Sequence, residues 1–353
     1  MYKIGLDLTP LKTGHASRGV GKYTNELIGA IKALKLSDIE IIPSGNGIPL
    51  NNCSLDLYHY PYFDLFFPTL PWKKETPTVV TVHDVTPLVF PENYPPGIRG
   101  TINFWLQKFS LGKVEAVITD SLNSKKDIVK YLKYPEEKIN VIYLAPSLVL
   151  KAVQPVFLNQ VKKKYKLPGK FVLYVGDVNW NKNVVGLADI CHKINIPLVI
   201  VGKNAKLTDF DKNHIENQPL VKLLEKYQDD PSVLRLGFIE NDELEAIYKL
   251  ASVYCQPSFY EGFGLPILDA MLLGCPVVCS NSSSLPEIGQ DAVKYFDPRD
   301  EREFKESLEN VLSNSKKAKE LIDKGFLQVK NFSWKKTAKE TVSVYKKVLE
   351  NTL

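Results

Sequence analysis

The chain contains no apolar run approaching the roughly 18 residues that a membrane-spanning helix requires. Its opening, Met1-Tyr2-Lys3-Ile4-Gly5-Leu6-Asp7, is interrupted by a charge at Asp7 and reads as a strand rather than a signal peptide. Cysteine is sparse: five residues stand at 53, 191, 255, 275 and 279. No two make a C-x-x-C pair, and an odd number argues against a disulfide framework. Buried thiols in a reducing cytoplasm are the expectation. No G-x-G-x-x-G fingerprint is present, which weighs against a nicotinamide dehydrogenase. Asp209-Phe210-Asp211 lies in a polar, loop-like stretch rather than at a strand end, and His and Cys do not cluster at metal-ligand spacing. Neither metal nor cofactor is expected.

What is present begins with length. At 353 residues the chain exceeds one ordinary core and implies about two domains. The formal net charge of +5 is uneven: residues 1–168 carry +7 and residues 169–353 carry −2. A basic first half points to an anionic partner such as a membrane surface or a phosphate-bearing acceptor, with a plain lysine-rich surface as the alternative. Nucleic acid is not among the expected partners.

Strand and helix patterns alternate in two series. Lys3–Leu8, Thr78–Val82, Ala116–Thr119 and Val141–Leu144 read as strands of the first, with a helix over Gly21–Lys35 and another capped by Ser121 or Ser124. Phe171–Gly176, Leu198–Val201, Val233–Leu236, Val253–Gln256 and Pro276–Cys279 form the second. Alternation of this kind predicts an α/β protein with two doubly wound, Rossmann-like parallel sheets. The charged stretch Lys162–Lys170, containing Pro168-Gly169, sets the predicted boundary, giving domains 1–167 and 168–334. A helix from Trp334 with apolar Ala338, Val342, Tyr345 and Val348 is expected to pack residues 335–353 back on the first domain. Ligands of such sheets bind beyond the carboxyl ends of strands, so the informative residues are those that follow strands.

Four segments stand there. The first is Tyr260-Glu261-Gly262-Phe263-Gly264-Leu265-Pro266-Ile267-Leu268-Asp269. Its glycines permit close backbone approach, Pro266 suits a first helical turn, and a helix N-terminus favours a diphosphate. A carboxylate at Asp269 is suited to ribose hydroxyls. The second is Gly176-Asp177-Val178-Asn179-Trp180-Asn181-Lys182, whose Lys182 can meet negative charge. The third is Arg18-Gly19-Val20-Gly21-Lys22-Tyr23, a glycine-containing loop that opens a helix. The fourth is Val82-His83-Asp84-Val85-Thr86-Pro87. A dense aromatic stretch, Tyr58, Tyr60, Tyr62, Phe63, Phe66, Phe67 and Trp72-Lys73-Lys74, suits loop packing, sugar stacking or a membrane interface. His59 within it carries no functional expectation.

Taken with Met271-Leu272-Leu273-Gly274-Cys275-Pro276-Val277-Val278, Ser284-Leu285-Pro286-Glu287-Ile288 and Gly237-Phe238-Ile239, these motifs resemble the retaining GT-B glycosyltransferases of family 4, which include bacterial mannosyl- and glucosyltransferases. The resemblance covers nearly the whole chain. It implies two Rossmann-like domains facing across a cleft, a hexosyltransferase activity that retains anomeric configuration, and no bound metal. It implies catalytic roles for His83, Lys182 and Glu261. Donor contacts would come from Gly19, Gly21, Phe238, Ile239, Gly262, Phe263, Gly264, Leu265 and Asp269, with Asp269 on the ribose. Acceptor or phosphate contacts would involve Arg18, Lys22 and Asp84, with Asp84 orienting His83 or the loop. The chain departs from the family at Asp177 and Asn181, where arginines are usual, and at Asp269, where a glutamate is usual. Charge compensation therefore leans on Lys182.

The expected reaction moves a hexose, with mannose and GDP-mannose favoured, from a nucleotide-diphosphate sugar to a glycan or lipid-linked saccharide in polysaccharide or lipopolysaccharide biosynthesis. A front-face displacement is expected, since no nucleophile is placed for a double displacement. The expected location is cytoplasmic, with peripheral contact at the inner face of the cell membrane. The competing readings are a non-catalytic glycosyltransferase-like binding subunit and another GT-B enzyme such as a sugar epimerase or a phosphorylase.

Overall fold

The computed structural model describes residues 1–14, 16, 19–45, 48–49 (backbone only) and 54–352. They form two compact units, Met1–Ala145 with Phe332–Leu353, and Pro146–Asn331. Each is built on its own sheet.

The first sheet contains β1 (Tyr2–Asp7), β2 (Ile39–Gly45), β3 (Ile48–Pro49), β4 (Leu57–Tyr60), β5 (Thr78–Thr81), β6 (Ala116–Thr119) and β7 (Ile139–Val141). Its order is β3-β2-β1-β4-β5-β6-β7, parallel except for the short antiparallel β3. β4, β5 and β6 are buried at every position, which fits their near-continuous β-branched and aromatic residues. The predicted strand at Val141–Leu144 lies earlier, at β7. The sequence reading did not include β2 or β4.

The second sheet contains β8 (Val172–Val175), β9 (Leu198–Val201), β10 (Val233–Gly237), β11 (Val253–Gln256), β12 (Val277–Ser280) and β13 (Lys294–Phe296). All pairs are parallel, in the order β10-β9-β8-β11-β12-β13. This order reverses between β8 and β11, so the loops leaving these two strands flank the topological switch point. In the first sheet the reversal lies between β1 and β4. A Cβ on Gly202, just past β9, would stand 2.0 Å from the Gly176 carbonyl oxygen, so the two loop backbones pack with no room for a side chain.

The boundary between units falls at Ala145–Pro146 rather than at Lys162–Lys170. The Pro155–Lys164 helix packs on the Asn241–Leu250 helix, and Lys164 Nζ and Tyr165 Oη donate to Glu243 at 2.5 and 2.6 Å. The lysine run is thus a helix end bound to the second unit, not a linker. The Trp334–Thr352 helix packs on the Gly19–Ala33 helix in the first unit. Thr337 Oγ1 donates to the Tyr143 carbonyl at 2.7 Å, and buried Tyr345 Oη lies 2.7 Å from His59 Nδ1.

The aromatic stretch divides. Tyr58, Tyr60 and Phe63 are buried in the first unit's core with Val80, Leu111 and Val117, whereas Phe67 and Trp72 are exposed. His59 is fully buried between Tyr345 and Thr81 Oγ1, 2.8 Å from its Nε2. Cys191, Cys255, Cys275 and Cys279 are free, buried thiols; burial raises the Cys255 pKa well above its ordinary value. Cys53 lies outside the described residues.

Candidate functional site

In the second unit the loops leaving β8 and β11 bring Lys182 and Glu261 together. Lys182 ends a 3-10 turn, Trp180–Lys182, and its Nζ donates to Glu261 Oε2 at 2.6 Å. The other carboxylate oxygen accepts from Gln256 Nε2 at 2.7 Å and Ser258 Oγ at 2.6 Å. Gln256 is held in turn by Tyr254 Oη. Glu261 is therefore a buried carboxylate with one cation and two neutral donors, each such bond contributing about 1.5–3 kcal/mol at most. An ammonium carries three donors, and the Glu261 bond takes one.

The backbone of this turn is fastened from two other loops. Glu261 N donates to Ser283 Oγ at 2.8 Å, and Ser284 Oγ lies 2.9 Å from the Glu261 carbonyl and 2.8 Å from that of Phe263. Asn181, where the family motif has an arginine, is buried: its Nδ2 donates to the Tyr260 carbonyl, and its own carbonyl accepts from Phe259 N. It stitches the two loops together instead of supplying charge. Ser283 and Asn183 both adopt left-handed φ, 52° and 51°, a conformation that is held by surrounding contacts when it is not glycine. Gly264, at φ 113°, caps the Leu265–Leu272 helix, and Pro266 stands in its first turn. A Cβ on Gly264 would add a contact of 2.9 Å to Leu285. The helix thus turns its positive end toward the Gly262–Gly264 turn. Leu265 is half-buried and Phe263 buried.

Asp269 lies on that helix, but its carboxylate serves another segment. Oδ1 accepts from Ser147 N at 2.7 Å and Leu148 N at 3.0 Å, and Oδ2 accepts from Ser147 Oγ at 2.7 Å. Both oxygens that the sequence reading assigned to ribose hydroxyls are engaged by residues 147–148. Phe238 is exposed and Ile239 buried in the loop after β10, which turns at Gly237 with φ 73°.

In the first unit, His83 follows β5 and is caught between the ends of the flanking strands. Its Nδ1 lies 2.6 Å from Asp120 Oδ2, just past β6, and its Nε2 lies 3.1 Å from the Pro61 carbonyl, just past β4. Burial alone would depress the imidazole pKa. The charge and hydrogen bond of Asp120, helped by Asp84 and the Pro61 carbonyl, outweigh it, and the pKa is raised. Both partners accept, so satisfying both nitrogens takes two N–H groups, an imidazolium.

Of the two roles expected of Asp84, its carboxylate takes the one in the loop. Its Oδ1 accepts from Thr86 N at 2.8 Å, shaping the turn into Thr86–Val89. The orienting acid is Asp120, which the sequence reading missed although it stands directly after a predicted strand. Tyr23 packs edge-on to His83 at 4.8 Å and bonds Thr81 Oγ1, which ties the Gly19–Ala33 helix to this cluster. Gly19 opens that helix, exposed; Gly21 is buried and Lys22 half-buried. Arg18 lies outside the described residues.

The profile of the family "Glycosyl transferases group 1" matches residues 158–328, and that of "Glycosyltransferase Family 4" matches residues 50–145. The O-antigen chain mannosyltransferase B of Escherichia coli is 31% identical over 297 residues, spanning 82% of this chain and 74% of that protein. A serotype-specific mannosyltransferase WbdA of Escherichia coli is 28% identical over 80% of this chain, which covers 34% of that longer relative. Among solved structures, sucrose-phosphate synthase from Thermosynechococcus elongatus superposes with a TM-score of 0.74 at 17% identity, covering 99% of this chain and all of that one. HepE of Anabaena, solved with UDP and glucose, gives 0.70 at 16% identity over 98% of this chain and 99% of that one. With its two Rossmann-like units and these relatives, the chain is an α/β protein of GT-B fold and belongs to the family 4, group 1 glycosyltransferases.

Proposed function

We propose that the chain transfers a mannosyl group from GDP-mannose to a glycan or lipid-linked saccharide during polysaccharide assembly, with retention at the anomeric carbon. The observation that carries this reading is the buried Glu261, held by Lys182, Gln256 and Ser258 beside the Gly262–Gly264 turn and a helix N-terminus. Such a turn offers a diphosphate backbone N–H groups, a helix dipole and one ammonium in a partly desolvated setting. Lys182 would neutralise the departing diphosphate as the glycosidic bond breaks, and Glu261 would fix Lys182 and face the donor sugar. The leaving phosphate would take the proton of the acceptor hydroxyl on the same face. His83, as an imidazolium, would donate to a sugar hydroxyl by exchanging its bond to Pro61. The names of the relatives favour mannose: five of the matched proteins are called mannosyltransferases of O-antigen chains or serotypes. HepE, the structural neighbour, was solved with UDP-glucose as well.

The chain would work at the inner face of the cell membrane, where lipid-linked acceptors are presented. Among the described residues no helix is long and apolar enough to cross a membrane. Thermal melting against GDP-mannose, UDP-glucose, UDP-galactose and UDP-N-acetylglucosamine tests the donor. GDP-mannose should raise Tm most, and a chain that no nucleotide sugar stabilises would overturn the donor-site assignment. The anomeric coupling in the product, read by NMR, decides between retention and inversion.

A further inference from the structure

The Gly97–Leu111 helix is amphipathic in the wrong sense for a protein core. The residues it turns inward are Gly100, Gln107, Ser110 and Leu111. Those it turns outward are Ile98 (83% exposed), Ile102 (56%), Trp105 (62%), Leu106 (44%) and Phe109 (48%). At 3.6 residues per turn these five fall in one stripe about 100° wide.

The helix is fastened to its own unit by Leu111 and Phe104, which pack on the core, and by polar bonds along the rest of its inward face. Buried Gln107 accepts from Thr69 N and Leu70 N through Oε1 and donates from Nε2 to the Leu70 carbonyl. Ser110 Oγ donates to the Pro71 carbonyl, and Asn103 Nδ2 to that of Phe66. The five outward side chains take no part in this fastening and are left for something outside the unit.

Charge identifies the occupant. The helix contains no acid, and its two cations, Arg99 and Lys108, flank the stripe on opposite sides. The exposed Trp72 stacks on Phe109 with ring centroids 4.5 Å apart, and Lys113 Nζ sits 4.9 Å from the Trp72 centroid and 4.2 Å from that of Phe109. Lys108 Nζ lies 5.5 Å from the Trp105 ring, and Lys73 stands next to Trp72. Glu75, Glu92 and Glu115 are the nearest acids in sequence, and Glu115 accepts from Thr78 N. Indoles and phenyl rings between cations match the lipid headgroup boundary, where apolar groups enter and lysines meet anionic lipids. A second copy of this chain would bring like charges together across a two-fold contact.

We propose that the outward face of the Gly97–Leu111 helix, with Trp72, is the surface by which this unit docks on an anionic membrane. The inference deepens the peripheral-membrane reading above by naming the face and the lipid chemistry. It moves that face away from Tyr58, Tyr60 and Phe63, which are core residues.

Flotation with vesicles of phosphatidylcholine, with and without about 30% phosphatidylglycerol, tests it on the full chain. The wild type should float with the anionic vesicles at least about tenfold more than with neutral ones. Ile102→Ser with Trp105→Ser should remove most of that binding. A second variant, Lys73→Glu with Lys113→Glu, should do the same by charge. Circular dichroism and the Tm shift with GDP-mannose, measured on each protein, separate loss of docking from loss of fold or of the donor site. Wild-type binding that both variants retain would overturn the assignment of this face while leaving a peripheral location intact. No vesicle binding by a folded, donor-binding wild type would overturn membrane docking altogether. So would a wild-type dimer, seen by sedimentation, that the serine variant disperses, since the face would then belong to a second copy.

Discussion

Asp120 biases His83 toward its cationic form: Oδ2 stands 2.6 Å from Nδ1, and Nε2 lies 3.1 Å from the Pro61 carbonyl. The pairing joins the carboxyl ends of three neighbouring strands, so it fixes the ring in place. Its folded-state pKa is raised, and a raised pKa means that the folded chain holds the proton more tightly than the unfolded chain. The stabilisation is fully present below the ordinary histidine value and is lost as pH rises through the raised one.

Asp120→Asn should therefore lower the His83 pKa, seen by imidazole NMR titration. It should cost stability mainly at low pH, so that the melting curves of the two proteins converge as pH rises. If His83 acts on substrate as an imidazolium, the alkaline limb of the kcat profile should move with the NMR value. An unchanged His83 titration in the asparagine variant would show that Asp120 does not set its charge.

Glu261→Gln and Lys182→Met address the donor site. The glutamine preserves size and accepts one hydrogen bond, but it leaves Lys182 without its anion. Each variant should fold and lose transfer by about a hundredfold or more. If the pair acts as a unit, the double variant should be little worse than either single one. A coupling of about 1 kcal/mol or more in the double-mutant cycle is expected. Fully additive losses would mean that the two groups serve the reaction separately.

Asp269 invites a test that separates two roles. Its three hydrogen bonds to Ser147 and Leu148 tie the start of the second unit's chain to the Leu265–Leu272 helix. Asp269→Asn and Ser147→Ala should each lower stability by about 1–3 kcal/mol in urea unfolding. Discrimination between GDP and 2′-deoxy-GDP should survive Asp269→Asn if the carboxylate holds residues 147–148. Loss of that discrimination would return Asp269 to the ribose.

Most of the second unit was legible because its strands are continuous apolar runs that end in glycine or in the Tyr260–Leu265 turn. The motifs located Lys182 and Glu261, but not the bond between them, because their loops leave strands that are neighbours only in the folded sheet. Asp120 escaped for the same reason: its partner is 37 residues away in sequence. Asp84 drew the assignment instead because it is adjacent to His83, and adjacency places successive side chains of an extended chain on opposite sides. The Gly97–Leu111 helix was passed over because glycine at 97 and 100 and threonine at 101 weaken the helical signal, and no acid marks its first turn. β4 was hidden in an aromatic run, interrupted by the polar His59, that suited loop packing as well as a strand.

His59 makes the last prediction. It is fully buried, and burial, with a smaller contribution from the charge of His83, pushes its pKa down to about 3. The neutral ring joins Thr81 to Tyr345 and so ties the C-terminal helix to the centre of the first sheet. In the unfolded chain the same imidazole titrates near 6.5. Between these values the unfolded state binds a proton that the folded state refuses. Stability should therefore fall as pH drops below about 6.5, by up to about 1.4 kcal/mol per unit from this one group. This slope is opposite in sign to that of His83, so the two are separable. His59→Gln keeps hydrogen-bonding capacity without a titrating ring; it should reduce stability at neutral pH yet flatten the decline between pH 6.5 and pH 4. Urea unfolding across that range, followed by far-ultraviolet dichroism, gives the measurement. A decline as steep in the glutamine variant as in the wild type would assign the acid sensitivity to other groups and remove His59 as its source.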